Sequence, residues 1–246
     1  MLGIACHDAE SSAKVVIEGA ESVDAHGQVI CQSSLRVRTD GVPPLSLSLR
    51  LTPDQLEPVF SGAAWAGTVL WRAAVRLVEV ALLGRDFSGA TVIELGAGLG
   101  VPAMICARKG AASVVVTEQA TLVDLLERNV RANFDGRIVC RELDWSRENA
   151  NALCADLNAT KPFDFILCCD CVYLPLYGDS FYRLADAIDA LAGPDSHVFL
   201  ALERRHVRDG TDGVDAFLDA LDRFGFAIAD TLPSEPPVDI LHLRRR

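Results

Sequence analysis

Thr91-Val92-Ile93-Glu94-Leu95-Gly96-Ala97-Gly98-Leu99-Gly100 decides the fold, because an apolar run delivers a glycine turn and a helix-like stretch, Pro102–Arg108, follows it. Strand, glycine turn and helix start are thus read in order. Glycine accepts positive φ and lets a ligand approach where a Cβ would collide, and the helix start adds free N–H groups and positive dipole charge. Such a turn suits a nucleotide-like cofactor. Its spacing, E-x-G-x-G-x-G, departs from the dinucleotide fingerprint G-x-G-x-x-G and from the phosphate loop G-x-x-x-x-G-K-[ST], whose lysine is absent.

Outward from this turn the chain alternates strand and helix. On the C-terminal side come Val114–Thr117, Leu122–Asn133, Ile138–Leu143, Glu148–Leu157, Phe163–Cys169, Phe181–Leu191, Val198–Leu202 and Val214–Phe224. This order predicts a mostly parallel sheet with helices on both faces. Phe226–Thr231 and Ile240–Leu243 have only Pro233-Ser234-Glu235-Pro236-Pro237 between them and are expected to pair antiparallel. Asp209–Gly213 reads as a mobile loop before the last helix.

On the N-terminal side, Trp71–Leu83 has helical apolar spacing, with Gly84 placed for a left-handed cap. Val15–Ile17, Val29–Cys31, Leu35–Val37 and Leu45–Leu51 read as short strands separated by Gly27, Asp40-Gly41 and Pro43-Pro44. The expected division is a β elaboration over residues 1–63, packed on a core domain of residues 64–246. Seven strands in the order 3-2-1-4-5-7-6, with a terminal antiparallel hairpin, is the Rossmann-like plan of the class I methyltransferases.

Composition bounds the partners. The 246 residues carry a net charge of -11 and are 50% hydrophobic, which is enough for one sizeable core and points away from nucleic acid and toward a basic partner. Arg244-Arg245-Arg246 reads as solvated surface. No apolar run approaches the ~20 residues needed to span a bilayer, and no leader pattern opens the chain. The eight cysteines include Cys140, Cys168, Cys169 and Cys171, which lie in or beside apolar runs as reduced thiols would, so a cytoplasmic protein is expected, with the nucleus left open. Cys168 and Cys171 have C-x-x-C spacing without a second pair, and no metal is expected.

Ligands of an open parallel sheet bind beyond the carboxyl ends of its strands. Here those ends are acidic: Glu94, Glu118, Asp144, Asp170 and Glu203. Glu118, about 20 residues past the glycine turn, is placed to accept from both hydroxyls of a ribose. Asp144 can accept from an adenine amine while Trp145 offers its ring; the alternative is a core tryptophan after a capping aspartate. Glu94 is expected near the reactive end of the ligand, acting through main chain or water. Successive acids without a phosphate-binding lysine favour S-adenosylmethionine, which carries ribose and adenine but no phosphate.

Trp71, the Glu94–Gly100 turn, Asp144-Trp145 and Asp170-Cys171-Val172-Tyr173 together resemble the seven-β-strand protein-lysine methyltransferases of the methyltransferase-like 21 type. The resemblance covers roughly Ala64 to Leu243, and D-x-x-Y is its narrower signature. It implies a cofactor pocket lined by Trp71, Glu94, Gly96, Ala97, Gly98, Glu118, Trp145 and Asp170, with Asp170 and Tyr173 facing the reaction. Asp170 would bind and orient the amine, and Tyr173 would position it or else pack under the cofactor. The implied acceptor is a lysine of a protein such as a chaperone or translation factor, met by a monomer. Two departures touch substrate choice: the thiol-rich Cys168–Cys171, and Leu174-Pro175-Leu176-Tyr177 where acids are often found. Methylation of a small molecule or another side chain, or cofactor binding without catalysis, are the competing readings.

Overall fold

The computed structural model describes residues 15–23, 29–49, 63–158, 162–208 and 210–246. Three antiparallel strands, β1 (Val15–Val23), β2 (Val29–Thr39) and β3 (Val42–Ser48), form a sheet in the order β1-β2-β3. Val29–Cys31 and Leu35–Val37 therefore belong to one strand. Pro43-Pro44, read above as a separator, lies inside β3. Proline lacks the N–H that a central strand needs, but β3 is an edge and its pairing is irregular between Val37 and Thr39, so the missing donor costs little. Gly27 and Leu51 lie outside the described residues.

Seven further strands make the main sheet: β4 (Thr91–Leu95), β5 (Ser113–Glu118), β6 (Ile138–Glu142), β7 (Phe163–Cys169), β8 (Ala192–Glu203), β9 (Phe226–Leu232) and β10 (Val238–Arg245). Their order is β6-β5-β4-β7-β8-β10-β9. The five strands from β6 to β8 run parallel, and β10 pairs antiparallel with both β8 and β9. Counted from β4, this is the expected order 3-2-1-4-5-7-6. The chain reverses its direction of travel across the sheet between β4 and β7, which opens a crevice beyond their carboxyl ends.

Period-two alternation divides the core between the two faces. Val92, Val114, Leu167 and Phe199 point to one side, where they pack with α1 (Arg72–Leu77), α2 (Val101–Arg108) and α3 (Ala120–Arg131). Ile93, Val115, Ile166 and Leu200 point to the other, against α4 (Arg147–Asp156), α6 (Phe181–Leu191) and α7 (Val214–Arg223). The short α5 (Leu174–Tyr177) lies between β7 and α6. Gly84 has no positive φ: α1 runs into a π turn, Val78–Leu82, closed by Leu83 N–H on Val78 O at 3.0 Å, so no left-handed cap is formed.

The small sheet is fastened to the large one through α3. Leu45 and Leu47 of β3 are buried in the same core as Leu77 and Leu126. Asn133 takes Ser46 N–H on its Oδ1 and gives its Nδ2 to Ser46 O, both at 2.7 Å; Asn129 does the same for Ser48, at 2.7 and 3.2 Å. Two amides, one on α3 and one just past its end, thus complete the edge that β3 would otherwise leave open.

Candidate active site

The turn after β4 is built by its glycines and by one buried acid. Gly96, Gly98 and Gly100 have φ of 60°, 53° and 78°. A Cβ on Gly96 would lie 2.7 Å from Cys171 Sγ and 3.1 Å from the Trp145 ring, and one on Gly98 would lie 3.1 Å from Gly67 O. Ala97 N–H donates to Thr117 O at 2.9 Å, which ties the turn to β5. Glu94 is fully buried and its Oε2 accepts Ala103 N–H in the first turn of α2 at 2.9 Å. Burial pushes its carboxyl up to about 8. One of the free N–H groups expected at the helix start is therefore served from inside by Glu94.

Beyond the turn lies a cavity of about 300 Å³, bordered by Trp71, Glu94, Gly96, Ala97, Gly98, Glu118, Asp144, Trp145 and Asp170. Every cofactor-binding residue expected from sequence meets there. Glu118 Oε1 accepts Gly98 N–H at 3.1 Å and Oε2 accepts Gln119 N–H at 2.6 Å, while burial raises its pKa. A carboxylate has about four acceptor positions, so two remain for hydroxyl groups in the cavity. Ser146 Oγ, not Asp144, caps α4 by accepting Asn149 N–H at 3.0 Å, and Asp144 is exposed at the rim beside Trp145. Trp71 is held by its indole N–H on Ala66 O at 2.8 Å.

Asp170 leaves β7 with φ 54°, its N–H on Ala201 O at 2.7 Å. Both its oxygens are taken by Arg205: Nη1 donates to Oδ1 at 2.8 Å and Nη2 to Oδ2. The guanidinium lies over Trp71 and Tyr173, 5.6 and 5.2 Å from the ring centroids. Sequence reading missed Arg205; its signal was the basic pair after Glu203 at the end of β8. Glu203 turns to Arg205 and is not among the cavity's lining residues. Tyr173 likewise braces Arg205 instead of bordering the cavity, and Tyr177, one helical turn on, is the tyrosine that lines it. Burial raises the Tyr177 phenol well above its ordinary value, so it stays neutral.

A sequence model of the lysine methyltransferase family matches residues 55–223. The chain belongs to the lysine methyltransferase family. It is 42% identical over 131 residues to the secreted RxLR effector protein 48 of Plasmopara viticola, covering 48% of this chain and 64% of that one. With protein N-lysine methyltransferase METTL21A of Mus musculus it shares 32% identity over 162 residues, 63% of this chain and 66% of the relative. The matches thus span no more than about two thirds of these relatives' lengths. Human N-acetylserotonin methyltransferase, solved in complex with S-adenosylmethionine, superposes with a TM-score of 0.53 at 14% identity over 80% of this chain and 60% of that one, which speaks for the shared fold. S-adenosylmethionine is the cofactor of this family and fold, and the cavity fits it: a ribose-ready carboxylate, a ring at the rim, glycines where a Cβ would intrude, and no phosphate cradle.

Proposed function

We propose that this protein transfers a methyl group from S-adenosylmethionine to a lysine side chain of a protein substrate. The observation that carries the reading is the meeting of Glu118, Trp145 and the glycine turn with Asp170, Cys171 and Tyr177 around one cavity. Glu118 would take the ribose hydroxyls, Asp144 and Trp145 the adenine, and the Glu94–Gly98 backbone the amino-acid end. When bound, S-adenosylmethionine supplies a methyl on sulfonium: the nitrogen lone pair forms the new bond in line as the C–S bond breaks, its electrons staying on sulfur.

The residues of the chain supply alignment. An amine must arrive unprotonated, its proton going to solvent, although a free lysine has a pKa near 10.4. Asp170 and the neutral phenol of Tyr177 border the place where it would sit, and holding it in line at the methyl is the main contribution the protein can make. The net charge of -11 suits a basic protein surface and disfavours nucleic acid. Among the described residues no helix is long and apolar enough to cross a membrane.

The finer reading is a cytoplasmic monomer acting on a chaperone or translation factor, with residues 1–63 an elaboration on a domain of residues 64–246. Burial of Leu45 and Leu47 in the core of α1 and α3 supports that arrangement. The test is transfer of labelled methyl groups into proteins of a matched lysate, followed by identification of the modified residue. Methyl-lysine in one or a few proteins is expected; label confined to small molecules would refute the reading.

A further inference from the structure

Arg205 has no part in the mechanism above, yet it joins Asp170, Trp71, Tyr173 and Asp212 at the site. Its fork closes on both oxygens of Asp170, whose side chain is only 2% exposed and borders the cavity. Two aromatic faces hold the guanidinium, and one of them, Trp71, is itself a wall of the cavity. Its own N–H donates to Asp212 Oδ2 at 3.2 Å, and Asp212 O accepts Leu174 N–H at 2.8 Å, joining the loop after β8 to the loop after β7. Arg204 points elsewhere, to Asp215 and Asp239.

Such a pair matters because Asp170 cannot swing away. Its main chain is fixed on Ala201 O, and Glu203 N–H adds a third bond to Oδ1 at 3.3 Å. An unpaired carboxylate there would attract the ammonium form of an incoming lysine and oppose its deprotonation. A guanidinium is charged at every accessible pH and matches both oxygens at once. The other titratable groups nearby do not replace it. Glu203 lies 3.4 Å from Arg205 and is not among the cavity's lining residues, Tyr177 and Cys171 are kept neutral by their surroundings, burial pushes Glu94 up to about 8 with its Oε2 on Ala103 N–H, and Glu118 accepts Gly98 and Gln119 N–H. Arg183, exposed at the mouth, adds positive charge of the same sense, as does the more distant Arg204.

Resting on the lysine-methyltransferase reading, we propose that Arg205 is a positioning residue for the transfer: by pairing with Asp170 it presents the acceptor amine with a neutralised carboxylate and so favours the unprotonated nucleophile. This differs from a packing role in its dependence on pH. The test measures the rate of labelled methyl incorporation into lysate protein between pH 6.5 and 10 for wild type, Arg205→Gln, Asp170→Asn and the double variant. S-adenosylhomocysteine titration of each variant reports cofactor binding independently of turnover.

Arg205→Gln should move the acidic limb of the rate profile up by about one pH unit, an approximately tenfold loss near neutrality that is recovered at high pH. Asp170→Asn should move it down, and the double variant should return it toward wild type. Should Arg205→Gln fail to bind S-adenosylhomocysteine, the opposite displacements of Asp170→Asn and the double variant carry the test. A uniform loss at every pH, with the limb unmoved, overturns the proposal alone. Absence of labelling by wild type overturns the methyltransferase reading and the proposal together.

Discussion

Replacing Gly96 by alanine should damage the site by an amount that can be assembled from two separate causes. The φ of 60° costs a residue with a Cβ about 1–2 kcal/mol. The added methyl would also lie 2.7 Å from Cys171 Sγ and 3.1 Å from Trp145, well inside the ~3.5–4.0 Å of a comfortable contact. Overpacking of this kind costs about 1–3 kcal/mol, so the two causes together reach about 2–5 kcal/mol. For a chain of this size that corresponds to a fall in Tm of about 5–15 °C. S-adenosylhomocysteine affinity should fall at least tenfold as Trp145 is pushed from the rim. Cys171→Ala removes the nearer obstacle without touching φ or the Trp145 contact, so Gly96→Ala/Cys171→Ala should recover part of the loss and leave at least about 1–2 kcal/mol. Calorimetric titration and thermal unfolding of the four proteins provide the measurement. A Gly96→Ala variant with wild-type Tm and affinity, or a double variant no better than the single, would refute the reasoning.

Glu118→Ala should weaken S-adenosylhomocysteine about 10- to 100-fold by titration, because two ribose acceptors and the brace on Gly98 N–H are lost together; an unchanged Kd would remove Glu118 from the ribose. His197 and His242, whose ring nitrogens are 2.9 Å apart, are both held below the ordinary imidazole value, His197 at about 4, chiefly by burial with Arg85 and Arg244 adding to it. The unfolded chain therefore takes up these protons first, so stability is full above pH 6.5 and falls between there and pH 4. His197→Phe should flatten that decline in denaturant midpoints, and parallel curves for the two proteins would count against it. Asn129→Ala should cost about 1–3 kcal/mol and the more exposed Asn133→Ala about 1, read as shifts of the same midpoints; equal, negligible losses would mean that water serves β3 as well as the helix does.

The order of the main sheet was legible because the central parallel strands are apolar runs buried on both faces and each parallel strand is separated from the next by a helix, a pattern that few topologies satisfy. The meeting of Glu94, Glu118, Asp144 and Asp170 at one cavity was legible for a related reason: a fold of this kind opens its crevice at the strand ends, so position along the chain gives position in space. Arg205 escaped that rule. It lies 35 residues from its partner, and what selects it is the left-handed backbone of Asp170 and two rings from different elements, none of which has a period or spacing. The motif singled out Tyr173, but motif spacing does not say that its ring faces the Arg205 guanidinium while Tyr177 lines the cavity. Pro43-Pro44 and Gly84 were misread for a local reason. Their usual meaning as breakers assumes a central strand or an α-helical end, whereas the chain uses an edge strand and a π turn.

The asparagine fastening of β3 has a geometric side. Four helical residues advance about 6.0 Å and two strand residues advance about 6.6 Å, so the two spacings coincide for a couple of rungs before drifting apart. Asn129 and Asn133 occupy those rungs against Ser48 and Ser46. A slip of β3 by one residue would therefore break both amide clasps and turn Leu45 and Leu47 outward at once. Because α3 begins directly after Glu118 and Gln119, the small sheet acts as a vernier stop on the helix that follows the cavity's buried carboxylate, and an error in its register would be felt as a displacement of Glu118.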